Sequence, residues 1–207
     1  MRAAAAQTCL MSSRPGHPSA RSSARRAWEQ RAVDEAFNLI EILEALPSPS
    51  TTAPDDPELN RLYDEDQADR AGGVLADGSS ERDRDRRLRG LAKLHAGEVR
   101  TARDFFCLAM LLQHGLAEHY HLGHELARRA WAAGYQPAGW LSAAALDRWL
   151  MNAGLPQKYG TQYVFSEDRW RLYRVDPATT DEDRARYDVP SLAKAQERAE
   201  AMTRDGY

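Results

Sequence analysis

The sequence lacks a hydrophobic run long enough to cross a membrane as a helix. Such a helix needs about 20 consecutive apolar residues, and the longest run here is CLAMLL at 107–112. With only two cysteines, Cys9 and Cys107, the chain has no disulfide framework either. We therefore expect a cytoplasmic protein with no membrane partner, in which Cys107 is a buried free thiol on an apolar helix face.

A strong excess of one charge is also missing. The 207 residues include 28 Lys and Arg and 31 Asp and Glu, which gives a formal net charge of −3. A chain with this balance has no overall attraction to nucleic acid or to an anionic membrane. Arginines are concentrated near the N-terminus and at 81–87, but the acids interleaved in ERDRDRR oppose binding to phosphates. We expect no nucleic-acid partner.

Composition divides the chain into four parts. Residues 1–27 are basic and rich in Ala and Ser, which is typical of a disordered tail, although a transit peptide has a similar composition. Residues 28–46 carry apolar side chains at helical spacing and predict an N-terminal helix. The proline-rich residues 47–57 predict a linker. Residues 58–203 are predicted to form a single helical domain.

Helical periodicity and glycine stops predict the fold of that domain. The predicted helices are 58–70, 102–114, 118–133, 138–153 and a last one that begins near Pro190. TQYVF and RWRLYRV are rich in β-branched and aromatic residues, and SEDR separates them, so they predict a β-hairpin at about 162–175. The predicted fold is mainly α: a helical-hairpin bundle with a small C-terminal β-hairpin.

A hydrophilic insert at 75–90 follows the first of these helices. Its second half contains the alternating charges ERDRDRR and favours a charged helix. Alternating signs along a helix are typical of a solvated face whose side chains pair with one another. We therefore expect these charged side chains to be exposed.

Three predicted helices carry polar side chains where the helical period places the core. These are Asp66, Gln67 and Arg70 on the first, Gln113 and His114 on the second, and Asp147 and Arg148 on the third. Burying such groups costs several kcal/mol unless they pair with one another or with a ligand. Two interpretations are open. The residues form an internal network, or they line a cleft for a small molecule.

Four motifs containing these residues favour the cleft. DEDQADR at 64–70, QHG at 113–115, ALDR at 145–148 and GLPQKYGTQ at 154–162 together resemble a bacterial family catalogued as a domain of unknown function. The resemblance covers about residues 58–203 and implies a shared site without naming a reaction. Its pattern falls on Asp66, Gln67, Arg70, Gln113, His114, Asp147, Arg148, Gln157, Tyr159, Gly160, Thr161 and Gln162. The basic N-terminus and the insert lie outside the family pattern.

The chemistry of these side chains favours acid–base work on a small polar or anionic ligand. His114 is the predicted titrating group, Asp147 or Asp66 its orienter or base, and Arg148 the residue that holds an anion. The predicted substrate-binding residues are Gln67, Arg70, Gln113, Arg148, Gln157, Tyr159, Thr161 and Gln162. Whether the protein is an enzyme stays open. The sequence contains no cofactor fingerprint, and its histidines lack the spacing of a zinc helix, so we predict no metal and name no cofactor.

A non-catalytic function is the alternative. HLGHELARRAWAAGY and AGWLSAAALDRWLMNAG have the small-residue spacing of helical hairpins that bind proteins or peptides. The polar stripe distinguishes the two hypotheses, because partner grooves favour aromatic and aliphatic anchors. A helical protein- or peptide-interaction module therefore remains the second hypothesis.

Overall fold

A computed structural model describes residues 46, 48–71, 78–115 and 117–206. The predicted tail at 1–27 and nearly all of the predicted helix at 28–46 lie outside the described residues. Within them the chain forms seven helices and one two-stranded sheet. The elements are α1 Pro57–Ala68, α2 Ser79–His95, α3 Ala102–Leu112, α4 Ala117–Ala132, α5 Ala138–Asn152, β1 Tyr163–Ser166, β2 Arg169–Leu172, α6 Asp181–Ala185 and α7 Leu192–Arg204. The prediction of a mainly α fold is confirmed.

Local sequence signals explain where several helices begin. The Asp56 carboxylate accepts a hydrogen bond from the Leu59 N–H (2.8 Å) at the start of α1. Thr101 and Asp104 form a capping box before α3, in which each side chain bonds the backbone of the other. Thr180 forms the same box with Asp183 before α6. These bonds satisfy N–H groups that a helix leaves unpaired at its first turn.

The core lies where α1 and α2 pack on α3, and where α3, α4 and α5 pack on one another in chain order. Its larger buried side chains are Leu59, Leu91, Leu94, Phe105, Phe106, Leu108, Leu112, Leu122, Leu126 and Leu141. Cys107 is a free thiol in this core, as predicted, and burial raises its pKa to about 12. None of the described helices is long and apolar enough to cross a membrane.

The β-hairpin lies within the predicted range. Tyr163 pairs with Leu172 and Ser166 with Arg169, in antiparallel register. The turn between the strands places two non-glycine residues at positive φ, 53° and 58°. Helix α7 packs on β2, where the Trp170 N–H donates to the Thr203 hydroxyl (2.8 Å). One edge of the small sheet is therefore covered by a helix.

Residues 79–90 of the charged insert lie in α2, but the prediction that its charged side chains are exposed was wrong for Asp83 and Arg86. Asp83 and Arg86 are buried, whereas Arg82, Arg84 and Asp85 are exposed. Asp83 and Arg86 lie on the helical face that continues into the buried residues Gly90, Leu91 and Leu94. They are tolerated in the interior because each finds an ion-pair partner there.

Candidate functional site

The predicted site residues fall into two neighbouring groups. The first is a charged cluster, which we define as Asp66, Asp69, Arg70, Asp83 and Arg86, with Gln67 and His114 against it. The second is the amide loop at 157–162, which is bonded to Asp147. Arg148 lies between the two groups. Its guanidinium contacts both the amide loop and the turn after α3, which we define as residues 113–115.

The charged cluster holds α1 against α2. Arg70 donates to Asp66 (2.8 Å) from one terminal nitrogen and to Asp83 (2.7 Å) from the other. Arg86 bonds Asp83 as well (3.1 Å) and also pairs with Asp69. Two arginines and three aspartates therefore alternate in one chain of ion pairs. Arg70 is the only arginine in this chain of ion pairs that pairs with Asp66, so its removal leaves that buried carboxylate without its arginine partner, which is strongly destabilising.

Asp66 and His114 lie close together, and burial shifts the pKa of each. The Asp66 side chain is only 1% exposed, and the His114 Nε2 lies 3.6 Å from its Oδ2. Burial raises the pKa of Asp66 to about 6, although Arg70 acts in the opposite direction. Burial also lowers the pKa of His114 well below its usual value, and Arg70 and Arg148 add to that effect. At neutral pH the imidazole is therefore neutral beside an ionised carboxylate that titrates close to neutrality.

The buried histidine of α4 makes the fold sensitive to acid. Burial lowers the pKa of His119 from 6.5 to about 4. Below pH 6.5 the unfolded chain takes up a proton that the folded protein does not, so stability falls as the pH is lowered. We expect His119 to contribute a loss of about 2 kcal/mol between pH 7.5 and 5.

Urea unfolding of wild-type protein and His119→Gln at several pH values measures this contribution. The variant should show a shallower fall in stability with acid, whereas His95→Gln, at an exposed position, should match the wild type. Asp66 acts in the opposite sense, since its raised pKa lets the folded state bind a proton first as the pH falls through about 6. That contribution is common to all three proteins. Parallel wild-type and His119→Gln curves would contradict the prediction.

Asp147 organises the amide loop. Its side chain is 0% exposed and accepts four hydrogen bonds. The N–H groups of Lys158 and Tyr159 bond one oxygen (2.7 and 2.8 Å), and the N–H and hydroxyl of Thr161 bond the other (3.0 and 2.8 Å). Burial raises the pKa of Asp147, and the four donors act in the opposite direction. Both carboxylate oxygens are therefore occupied by the loop.

The amides of the loop bond to the protein itself. The Gln157 side chain donates to the carbonyls of Gln162 (3.0 Å) and Tyr173 (2.8 Å), and it accepts from the Gln162 N–H (2.8 Å). The Tyr159 ring packs on Tyr187, with centroids 4.9 Å apart. Arg184, which the sequence did not suggest, donates to the Tyr159 carbonyl (2.9 Å). The loop is thus fixed from α5 on its N–H side and from α6 on its carbonyl side.

Gln113 is a buried residue whose side-chain amide makes no hydrogen bond to the described residues. The residue is 4% exposed, and neither the Nε2 nor the Oε1 of its side chain has a hydrogen-bond partner among the described residues. The side chain packs against α4 at Gly123, where a Cβ would lie 3.0 Å from the Gln113 nitrogen. An enclosed amide without partners costs roughly 1–3 kcal/mol. This is the point in the site where the internal network is incomplete.

Some residues of this region escaped the sequence prediction. Asp83, Arg86 and Arg87 lie on α2, in the insert that was predicted to be solvated. Their helical spacing indicated that they face inward. Each lies three, four, seven or eight positions before at least one of Gly90, Leu91 and Leu94, which are buried on the same helix face. The sequence analysis missed this inward face because the alternating charges of ERDRDRR are also typical of a solvated helix face.

Two further histidines, His121 and His124, contact other parts of the protein. His121 packs on Trp149, with ring centroids 4.9 Å apart. The His124 Nδ1 lies 2.9 Å from the Ser142 carbonyl oxygen. Across the residues that the structure describes, no group of three or more His, Cys, Asp and Glu side chains is placed to hold a metal ion.

Comparison of the chain with family models, with curated proteins and with solved structures gives no match. The fold and the site geometry define a mainly α-helical protein in which a buried charged cluster adjoins a rigid amide loop. The proposals below rest on the contacts, burial and charge of the described residues.

Proposed function

We propose that the protein binds a small polar or anionic ligand where the turn after α3 meets Arg148 and the charged cluster. The observation that carries this proposal is the Gln113 amide, buried with both polar atoms unbonded within the described part of the chain. A ligand that pairs with it would remove the penalty of an unsatisfied amide. Arg148 supplies the positive charge, and its bonds to the Gln113 carbonyl (2.6 Å) and Gln162 (3.2 Å) place it at the same point.

Asp66 and His114 supply acid–base chemistry in this proposal. A carboxylate with a pKa of about 6 holds or releases a proton near neutral pH, whereas the lowered pKa of His114 makes its imidazole a weak base that stays neutral beside it. Gln67 donates to the Asp66 Oδ2 (2.9 Å) and fixes its orientation. We assign Asp147 a positioning role, because its oxygens are bonded to the loop that carries Gln162.

Replacing Gln113 by leucine tests the proposal. Because the amide is unbonded, Gln113→Leu should keep or raise the free energy of unfolding, by about 1 kcal/mol. The same variant should lose ligand binding. The measurement is a thermal-shift screen of both proteins against metabolites, nucleotides and divalent metals. A ligand at 100 times its dissociation constant adds about 2.7 kcal/mol of stability.

Gln157→Leu is the matched control, because Gln157 is an equally buried glutamine that makes three hydrogen bonds. It should lose about 2 kcal/mol or more. If Gln113→Leu is destabilised as strongly as Gln157→Leu, the Gln113 amide has a structural role. A screen in which no compound stabilises the wild type more than the variant would contradict the proposal as a whole.

A groove between β2 and α7 supports the second candidate function, a protein- or peptide-interaction module. It has a volume of about 540 Å³ and is lined by apolar parts of Trp170, Leu172 and Ala199, with arginines at its rim. Phe165, on the neighbouring strand, is 56% exposed. Gln196→Trp would fill the groove, so it should weaken binding of a peptide library measured by fluorescence polarisation. Unchanged peptide binding in that variant would reject the groove as the docking surface.

A further inference from the structure

Two arginines from different helices meet at the turn after α3. Arg148, on α5, donates to the Gln113 carbonyl (2.6 Å), and Arg87, on α2, donates to the His114 carbonyl (2.6 Å). These carbonyls belong to residues adjacent in the chain, whose α-carbons lie about 3.8 Å apart. Two guanidinium groups are therefore brought to one turn by the packing of α2 and α5 around α3.

Among the residues that the structure describes, neither guanidinium has an acidic ion-pair partner. Arg70 and Arg86 each pair with two aspartates, whereas no ion pair joins Arg87 or Arg148 to any Asp or Glu that the structure describes. Both side chains are half-buried, and burial lowers the pKa of Arg87. A partly buried cation bonded only to neutral acceptors is poorly compensated for its lost hydration. Asp83 and Asp66 raise the pKa of Arg87 from a distance, but neither arginine of the turn is in direct ion-pair contact with a carboxylate of the described residues.

Both arginines keep donors available. Arg148 uses Nε and Nη1, and Arg87 uses Nη1, in all their hydrogen bonds to described residues. The Tyr120 ring lies 5.7 Å from the Arg148 guanidinium and supports one side of it. Gly115 allows the close approach of Arg87, since a Cβ there would lie 3.0 Å from the Arg87 Cδ. The Nε and Nη2 groups of Arg87 form a planar pair of donors that suits an oxyanion, and Nη2 of Arg148 adds a further donor.

We propose that Arg87 and Arg148 together bind the oxyanion group of the ligand, a phosphate or a carboxylate, at the turn after α3. This inference rests on the proposed function and specifies the class of ligand. It also adds Arg87 to the site, a residue that was predicted from the sequence to lie on a solvated helix face. Two guanidiniums match the charge of a phosphate monoester, about −1.5 to −2 at pH 7. With the oxyanion held there, the remainder of the ligand faces His114 and Gln113.

The experiment measures the stability and the anion affinity of the full chain at constant ionic strength. Thermal unfolding is followed in sodium chloride, inorganic phosphate and sodium acetate, with wild type, Arg87→Met, Arg148→Met and Arg89→Met. Arg89 is the matched control, because it lies on the same helix and pairs with Glu58 outside the turn. Phosphate also stabilises proteins non-specifically. The informative quantity is therefore the part of the phosphate-induced rise in unfolding temperature that is retained in Arg89→Met but lost in Arg87→Met and Arg148→Met.

We expect a saturable stabilisation by phosphate and about a tenfold weaker apparent affinity in Arg87→Met and in Arg148→Met. A stronger response to acetate than to phosphate would assign the group as a carboxylate. Arg87→Lys keeps the charge without the planar donors and should also lose affinity. The Nε–H signals of both arginines, followed by ¹⁵N NMR in the wild type, should shift as phosphate is added, which tests the site without any substitution.

Equal phosphate affinity in Arg87→Met and Arg89→Met would overturn the two-arginine site, as would arginine signals unmoved by both anions. The proposed function would survive that result if the metabolite screen still returned a ligand that Gln113→Leu fails to bind. Loss of both responses would reject the proposed function together with this inference. The two failures are therefore distinguishable.

Discussion

Asp147→Ala is expected to lower the free energy of unfolding by about 4 kcal/mol. The substitution removes four hydrogen bonds to a fully buried carboxylate and leaves three backbone N–H groups and one hydroxyl without their acceptor. Hydrogen bonds to charged groups contribute roughly 1.5–3 kcal/mol each, and relaxation of the loop toward water recovers part of the loss. Urea unfolding at pH 7, followed by far-UV circular dichroism, measures the change.

Two variants show which part of Asp147 matters. Asp147→Asn keeps the shape but turns one acceptor into a donor that faces N–H groups, so it should be nearly as damaging as alanine. Thr161→Val removes a single donor and should cost about 1 kcal/mol. If Asp147→Ala unfolds like the wild type but loses ligand stabilisation, Asp147 belongs among the ligand-contacting residues. That outcome would replace the positioning role with the catalytic role that the sequence pattern predicted.

Arg70→Met is expected to cost about 3–5 kcal/mol at pH 7. Arg70 is the shared partner of Asp66 and Asp83, and both carboxylates stay buried when the guanidinium is removed. Arg61→Met is the control on the same helix. Arg61 pairs with Glu65 at an exposed i,i+4 position, where a salt bridge contributes about 0.5 kcal/mol or less.

The pH dependence identifies the cause of the Arg70→Met defect. Arg70 lowers the pKa of Asp66, so its removal should raise that pKa further above the unfolded value. Protonation then relieves the uncompensated charge, and the difference between variant and wild type should shrink as the pH falls from 7 to 5. A defect of constant size across that range would indicate lost packing of the arginine stem rather than an unpaired carboxylate.

The helical period located the polar residues of the site in the interior but not their partners. Asp66, Gln113 and Asp147 were singled out because they continue apolar stripes, and all three are buried. Asp66 lies in an ion-pair network, Asp147 caps a loop, and the side-chain amide of Gln113 has no hydrogen bond among the described residues. Helical periodicity indicates only which side of a helix faces inward. It does not indicate which side chains of the neighbouring helix or loop lie opposite that side.

The loop GLPQKYGTQ shows the same division. The amide and hydroxyl side chains of this loop were predicted to bind a substrate, and that role remains a prediction. In the structure Gln157 and Thr161 bond the protein itself, and Gly160 adopts a φ of 90° that other residues rarely take. A loop that folds around its own amides and one that presents them to a ligand have the same composition.

The sequence by itself determined the class of fold, the starts of several helices, the hairpin and the burial of Asp66, Arg70, Gln113 and Asp147. These features depend on caps, turns and periods that act within a few residues along the chain. Tertiary structure alone decided that Asp83 meets Arg70, that four donors of the loop meet Asp147, and that Arg87 and Arg148 meet at one turn. Such contacts join residues far apart in sequence, so they exist only after the helices have packed.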